Sequence, residues 1–183
     1  MSHSGTALVN PYNIFDQAGL LEGMKVADLG CGGTGHFVFS IKDRVGDNGV
    51  VYAVDILKNI LENINSRIKS EGHENIFPIW SDIENPGSVP IPEGSLDMCF
   101  LVNVMYTLNK KREVLQEISR LLKEKGVAVI VDWVKPLEGL GPQADQLVGA
   151  RELNDLALDC DLMFEKNFSA GRNHYCLILR KEA

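Results

Sequence analysis

The chain has 183 residues, 45% apolar and 23% charged, with a net charge of −7. That length suits one domain with a sizeable core, and the acidic balance speaks against a broad nucleic-acid-binding face. No apolar run reaches the roughly 18 residues of a membrane span, and the opening MSHSGTALVNPYN lacks the regions of a secretory signal, so a cytoplasmic location is expected.

Residues 1–23 precede the first strand. Within them Asn10 to Leu20 carries Tyr12, Ile14, Phe15, Ala18 and Leu20, an apolar set too large to leave in water. It reads as a helix that packs as a lid or side wall beside the site. Residues 24–183 then alternate strand-like and helix-like segments, the pattern of parallel strands joined by helical crossovers. Lys25 to Leu29 is the first strand and ends in glycines; a helix follows from about Gly35 to Arg44, broken by Gly46 and Gly49. GVVYAVDI forms a second strand ending at Asp55. The next helix shows Leu57, Ile60, Leu61, Ile64 and Ile68 on one face, with Gly72 as terminator.

Ile76 to Trp80 is a third strand, and the proline- and glycine-rich ENPGSVPIPEGS is a loop. SLDMCFLVN gives a fourth strand. Asn109 is placed to cap a helix carrying Val114, Leu115, Ile118, Leu121 and Leu122, stopped by Gly126. Lys110, Lys111 and Arg112 read as its solvated start. VAVIVDW is a continuous apolar strand, as expected when helices cover both faces. A helix near Arg151 to Asp159 and strands near Leu162 to Phe168 and Tyr175 to Arg180 complete a single 1–183 domain. The four cysteines, Cys31, Cys99, Cys160 and Cys176, show no paired metal-ligand spacing; reduced, mostly buried thiols and no metal are expected.

The informative stretch is VADLGCGGTGHF, residues 26–37. Glycines after a buried strand let the backbone turn sharply and approach a ligand, and the following helix offers its positive end to an anion. Gly30, Gly32 and Gly35 also fit the dinucleotide pattern G-x-G-x-x-G, a weak signal alone. Asp28 separates the ligands. A carboxylate there would repel a pyrophosphate but suits a ligand with ammonium and sulfonium charges. Asp55 is placed to accept from ribose hydroxyls, and Asp82 from an adenine amino group.

DLGCGGTG, followed by VYAVDI, WSDIE, SLDMCFLVN and LLKEKGVAVIVDW, resembles the ordered motifs of class I methyltransferases, most similarly the small-molecule enzymes of the ubiquinone and menaquinone biosynthesis type. The resemblance runs from about Gly23 to Trp133. It implies a Rossmann-like α/β fold with a mostly parallel seven-stranded sheet, order 3-2-1-4-5-7-6, the last strand antiparallel. It also implies S-adenosylmethionine as cofactor, held by Asp28, Gly30, Cys31, Gly32, Gly35, Asp55, Ile56, Asp82, Ile83, Val102 and Asn103. One departure is plain: the family's third glycine would fall at Thr34, whereas here the glycines are Gly33 and Gly35.

Methyl transfer needs alignment and exclusion of water more than it needs a covalent intermediate, so catalytic residues leave little signature. The acceptor is expected to be a small molecule. NVMYTL after the fourth strand lacks the Asn-Pro-Pro-Tyr type of motif used on amino groups. Tyr12, His36, Tyr106, Trp133 and His174 are the candidate substrate-pocket residues. Asp132 and His174 are candidate catalytic groups, the turn SAGRNHY being expected to bring His174 within reach of Asp132. A non-catalytic module that binds the cofactor, and less readily an NAD-binding oxidoreductase domain, remain as alternatives.

Overall fold

The computed structural model describes residues 8–137, 139 and 141–183; the first seven residues of the expected N-terminal segment, with 138 and 140 of the loop after Trp133, lie outside them. Helix α1 (Pro11–Ala18) precedes β1 (Lys25–Leu29), α2 (His36–Val45), β2 (Val50–Asp55), α3 (Lys58–Glu71) and β3 (Ile76–Trp80). Then come β4 (Leu96–Val102), α4 (Lys111–Leu121), β5 (Leu122–Trp133), α5 (Ala150–Leu158), β6 (Leu162–Ser169) and β7 (His174–Lys181). The strands form one sheet in the order β3-β2-β1-β4-β5-β7-β6. β7 runs antiparallel to both β5 and β6, and the other pairings are parallel. No helix among the described residues is long and apolar enough to cross a membrane.

Two apolar clusters cover the sheet faces. One joins Phe15 of α1, Phe37 and Ile41 of α2 and Ile64 of α3 to alternate sheet residues such as Phe100, Val129 and Cys176. The other joins Leu115 and Ile118 of α4 and Leu153 of α5 to the intervening residues, among them Leu101, Ile130 and Leu177. This two-sided burial is why the central strands read as unbroken apolar runs. All four cysteines are buried.

The capping of the helices differs from expectation in one place. Asn10 caps α1, its side chain accepting from the Tyr12 amide, and Gly72 closes α3 in the left-handed conformation. Asn109, by contrast, does not cap α4. The cap position is Lys110, and the Asn109 and Lys110 amides both donate to Glu84 Oε1, at 2.6 Å each. Nor does Gly126 stop α4. The helix ends at Leu121, because the amides of Gly94 and Ser95 take the carbonyls of Arg120 and Leu121, and β5 begins at once.

Helix α1 belongs to the core. Ile14, Phe15 and Leu20 are at most 1% exposed, and burial of such side chains is worth roughly 1.5–3 kcal/mol each. Phe15 meets Phe37 and Phe100 edge-on. Residues 11–20 are thus rooted in the core.

Candidate functional site

At the carboxyl ends of β1, β2 and β4 two cavities share Gly30 as their divider. The larger, about 310 Å³, is lined by Asp55, Ile56 and Leu57 after β2, by Ser81 to Glu84 after β3, and by Val104, Thr107 and Leu108 after β4. The smaller, about 150 Å³, is lined by Asp28, Cys31, Gly32, Thr34, His36, Val102 and Asn103, with Val9 from the N-terminal segment. All the expected cofactor residues except Gly35 line one cavity or the other.

Backbone conformation explains the glycines. Gly30 has φ +74°, and a Cβ there would lie 2.6 Å from Val104 Cγ2, so the turn admits no side chain. Gly35, at φ +57°, precedes α2, and its Cβ would meet Ile64 Cδ1 at 2.5 Å and the Phe39 ring at 2.8 Å. Its role is therefore close helix packing, while Thr34 is left exposed. The glycine shift relative to the family pattern keeps a glycine where α2 meets α3. α2 carries no side-chain cap, so its first amides stay available beside the smaller cavity.

The acids differ in environment. Asp28 is 1% exposed; burial, reinforced by the charge of Asp55, lifts its pKa to about 7. Asp55 Oδ2 accepts from the Gly32 amide at 3.2 Å and Oδ1 from the Leu57 amide at 2.9 Å, which ties the glycine loop to the end of β2. Asp82 accepts from the Glu84 amide at 3.0 Å and from Asn85 Nδ2 at 2.7 Å. An ammonium beside Asp28 would remove the penalty on its ionised form, and a ribose beside Asp55 would find a fixed carboxylate. The lining residues therefore fit S-adenosylmethionine.

Sequence reasoning named Tyr106 of the segment after β4 but missed Val104, Thr107 and Leu108, which with a 3-10 turn over Met105–Thr107 wall the larger cavity. It also missed Glu117. This carboxylate is fully buried and accepts from the Gly87 and Val89 amides and from Arg120. Desolvation opposes its charge, yet Arg120 and the two amides outweigh that and hold its pKa below the usual range. Arg120 in turn donates to the carbonyls of Val89 and Ile91. The pair fixes the loop that continues the Ser81–Glu84 wall. Its only sequence trace is an Arg three residues beyond the Glu.

The acceptor-side candidates separate. Tyr12 is 47% exposed, packs edge-on against Phe15 and lines neither cavity. Tyr106 is half-buried against the α4 face of the sheet. His36 lines the smaller cavity, and burial lowers its pKa. Trp133 and His174 lie opposite one another in the β5–β7 ladder, their ring centroids 4.2 Å apart. The expected pairing of His174 with Asp132 does not form. Asp132 is opposite Tyr175, so it faces the α4 side, whereas His174 faces the α1 side. Burial lifts the Asp132 pKa to about 6, against the Trp133 amide bond to Oδ1. Burial lowers that of His174 to about 4. Among the described residues no group of three or more acids, histidines or cysteines is arranged to hold a metal ion.

The family described as "Methyltransferase domain" matches residues 20–169. A demethylmenaquinone methyltransferase of Lactococcus lactis is 33% identical over 132 residues, 70% of this chain and 50% of its own length. The ubiquinone/menaquinone biosynthesis C-methyltransferase UbiE of Laribacter hongkongensis is 31% identical over 128 residues, with the same two coverages. The chain thus spans about half the length of these curated relatives. A SAM-dependent methyltransferase of Aquifex aeolicus superposes with a TM-score of 0.88 at 22% identity, covering 98% of this chain and 93% of that one. The [4+2]-cyclase SpnF superposes with a TM-score of 0.79 at 12% identity, covering 94% and 80%. These structural likenesses speak to the fold.

Proposed function

The chain belongs to the class I S-adenosylmethionine-dependent methyltransferases, and from that premise we propose that it moves the methyl group of S-adenosylmethionine to a small-molecule acceptor. The observation that carries this reading is the paired cavity around Gly30, with buried Asp28 on one side and Asp55 and Asp82 on the other. The cofactor supplies a methyl group already activated on a sulfonium. The chain's own part is to bind and to exclude water. Asp28 faces the ammonium, Asp55 the ribose hydroxyls, Asp82 the adenine side, and the free α2 amides the carboxylate. Val102 and Asn103 stand at the reacting end, so the acceptor is brought up beside the end of β4. The named activities of the curated relatives favour carbon methylation of a quinone-type ring.

The test has two stages. Calorimetry is expected to show binding of S-adenosylmethionine and S-adenosylhomocysteine and none of NAD. Saturation at about 100 times Kd stabilises the fold by about 2.7 kcal/mol. Radiolabelled methyl transfer to a demethylated quinol is then expected. NAD binding without either methionine nucleoside would overturn the cofactor assignment. Cofactor binding without methyl transfer to any offered acceptor would favour a non-catalytic binding module.

A further inference from the structure

Gly33 and Thr34, where the glycine loop departs from the family pattern, are both exposed. The rest of the loop is tied down from below. The Gly30 and Cys31 amides donate to the Val54 carbonyl at 2.8 and 3.1 Å, the Gly32 amide to Asp55, and the Gly35 amide to the Gly32 carbonyl at 3.1 Å. Among the described residues, the hydrogen bond that reaches residues 33–34 comes from outside the loop. Arg67 Nη1, on α3, donates to the Thr34 carbonyl at 3.5 Å.

At that length the bond is weak by itself, but it is one contact of a cluster. The Arg67 guanidinium carbon stands 3.7 Å from the centre of the Phe39 ring, and Phe39 is the α2 residue against which Gly35 packs. Arg67 Nε donates to Glu71 Oε1 at 2.7 Å, one turn further along α3. His73, whose ring also meets Phe39, lies 2.9 Å from the other oxygen of Glu71. Arg67, and after it His73, hold the Glu71 carboxyl below the usual carboxylate range, so the partner of Arg67 stays ionised. The stacking and the Glu71 bond together fix the guanidinium in the orientation in which Nη1 faces Thr34. A planar fork can stack and donate in two directions at once, whereas a lysine ammonium is a point charge.

Resting on the methyltransferase reading above, we propose that Arg67 is a positioning residue for the amino-acid end of the cofactor: stacked on Phe39, it clamps the Thr34 turn from α3 and so fixes the wall of the smaller cavity. Thr34 lines that cavity, and so does His36, the first residue of α2. The helix has no side-chain cap at its start, so its first amides take their direction from the turn that leads into them. Gly33 gives that turn no support of its own, since nothing lies within 4 Å of where its Cβ would be. Without the clamp, the two exposed residues are held by the Gly32–Gly35 hydrogen bond alone. Ordering them before the ligand arrives lowers the cost of binding at this end. The larger cavity is outside the clamp's reach, because Thr34, Phe39, Arg67, Glu71 and His73 do not line it.

The test compares two nucleosides on the full chain by calorimetry: S-adenosylhomocysteine, which carries the amino-acid end, and 5′-methylthioadenosine, which lacks it. Arg67→Ala is expected to weaken S-adenosylhomocysteine about fivefold and 5′-methylthioadenosine by less than about twofold, the scale of a part-exposed cation contact. Arg67→Lys, which keeps the charge, should recover less than half of the loss. In the ligand-free 15N-labelled protein the Gly35 amide should exchange with solvent at least about threefold faster in Arg67→Ala than in wild type. Unchanged S-adenosylhomocysteine affinity, an equal loss for both nucleosides, fuller recovery by lysine or unchanged Gly35 exchange overturns the proposal. Arg67 belongs to neither apolar cluster, so its replacement leaves the core filled. Wild type that binds neither nucleoside would instead overturn the methyltransferase reading, and Gly35 exchange, which needs no ligand, still decides the clamp.

Discussion

Asp28→Asn isolates the electrostatics of the smaller cavity. In the ligand-free protein the carboxyl has a pKa of about 7 against 3.8 for the free side chain. A folded-state pKa above the unfolded one means that the native state holds the proton more tightly. Stability is therefore fullest below pH 4 on this account and is lost as pH rises toward 7. The shift of about three units corresponds to a loss of about 4 kcal/mol at most, at 1.36 kcal/mol per unit. An amide carries no such charge, so the ligand-free variant is expected to melt higher than wild type at pH 8 and alike at pH 4. Cofactor binding should run the other way. The ligand ammonium, with an α-amino pKa near 7.8, needs the ionised carboxylate. Wild-type affinity then peaks near pH 7.4, where about half of encounters have both charges in place. By pH 5.5 only about one carboxyl in thirty is ionised, an affinity loss of about fifteenfold. The Asp28→Asn variant should bind weakly, with no acid limb. Calorimetry of S-adenosylhomocysteine across pH 5.5–8.5, beside melting curves of the free proteins, reads both effects. An acid limb of equal slope in wild type and variant would refute the reasoning, as would a variant less stable than wild type at pH 8.

Two further substitutions follow. Asp55→Ala removes the carboxylate expected to meet the ribose, and S-adenosylhomocysteine affinity should fall at least about tenfold, or 1.4 kcal/mol; because Asp55 also ties Gly32 and Leu57, the melting temperature should drop as well, and an unchanged calorimetric Kd in a folded variant would dispose of the assignment. Glu117→Ala leaves Arg120 half-paired and two loop amides unmatched, so denaturant unfolding should show a loss of about 3–5 kcal/mol; a loss below about 1 kcal/mol would mean that the pair does not hold the loop.

Most of the sheet was legible because a strand buried on both faces writes itself as an apolar run, and the first two such runs here end in a glycine and an acid. VADLG and VVYAVD carry both the strand and its ligand-side terminus, so Asp28 and Asp55 could be placed before their neighbours were known. Groups whose partners are distant in sequence were not legible. Glu117 sits among apolar helix positions, and besides Arg120 its partners are the Gly87 and Val89 amides, some thirty residues earlier. Asn109 looked like a cap because capping is usually local; Glu84 arrives from another loop to do the same work. The misplaced contact between His174 and Asp132 is a matter of parity. The turn after β6 was rightly placed beside the end of β5, but one residue of register decides which sheet face a side chain takes, and it put Tyr175, not His174, on the face of Asp132.

The wall of the larger cavity is strapped at both ends to α4. Glu84 holds the amides at the helix start, and Glu117 with Arg120 holds Gly87, Val89 and Ile91 near its end. A loop tied in this way cannot fray on its own. Its amides should exchange with solvent only through openings that also release the helix, so Gly87, Val89, Asn109 and Lys110 should share one protection free energy with α4. The wall of the larger cavity is thus kept in shape by the cooperativity of α4, a helix whose own residues line neither cavity. A lesion in α4 would reach the larger cavity as a loss of order in the loop before any lining residue had changed.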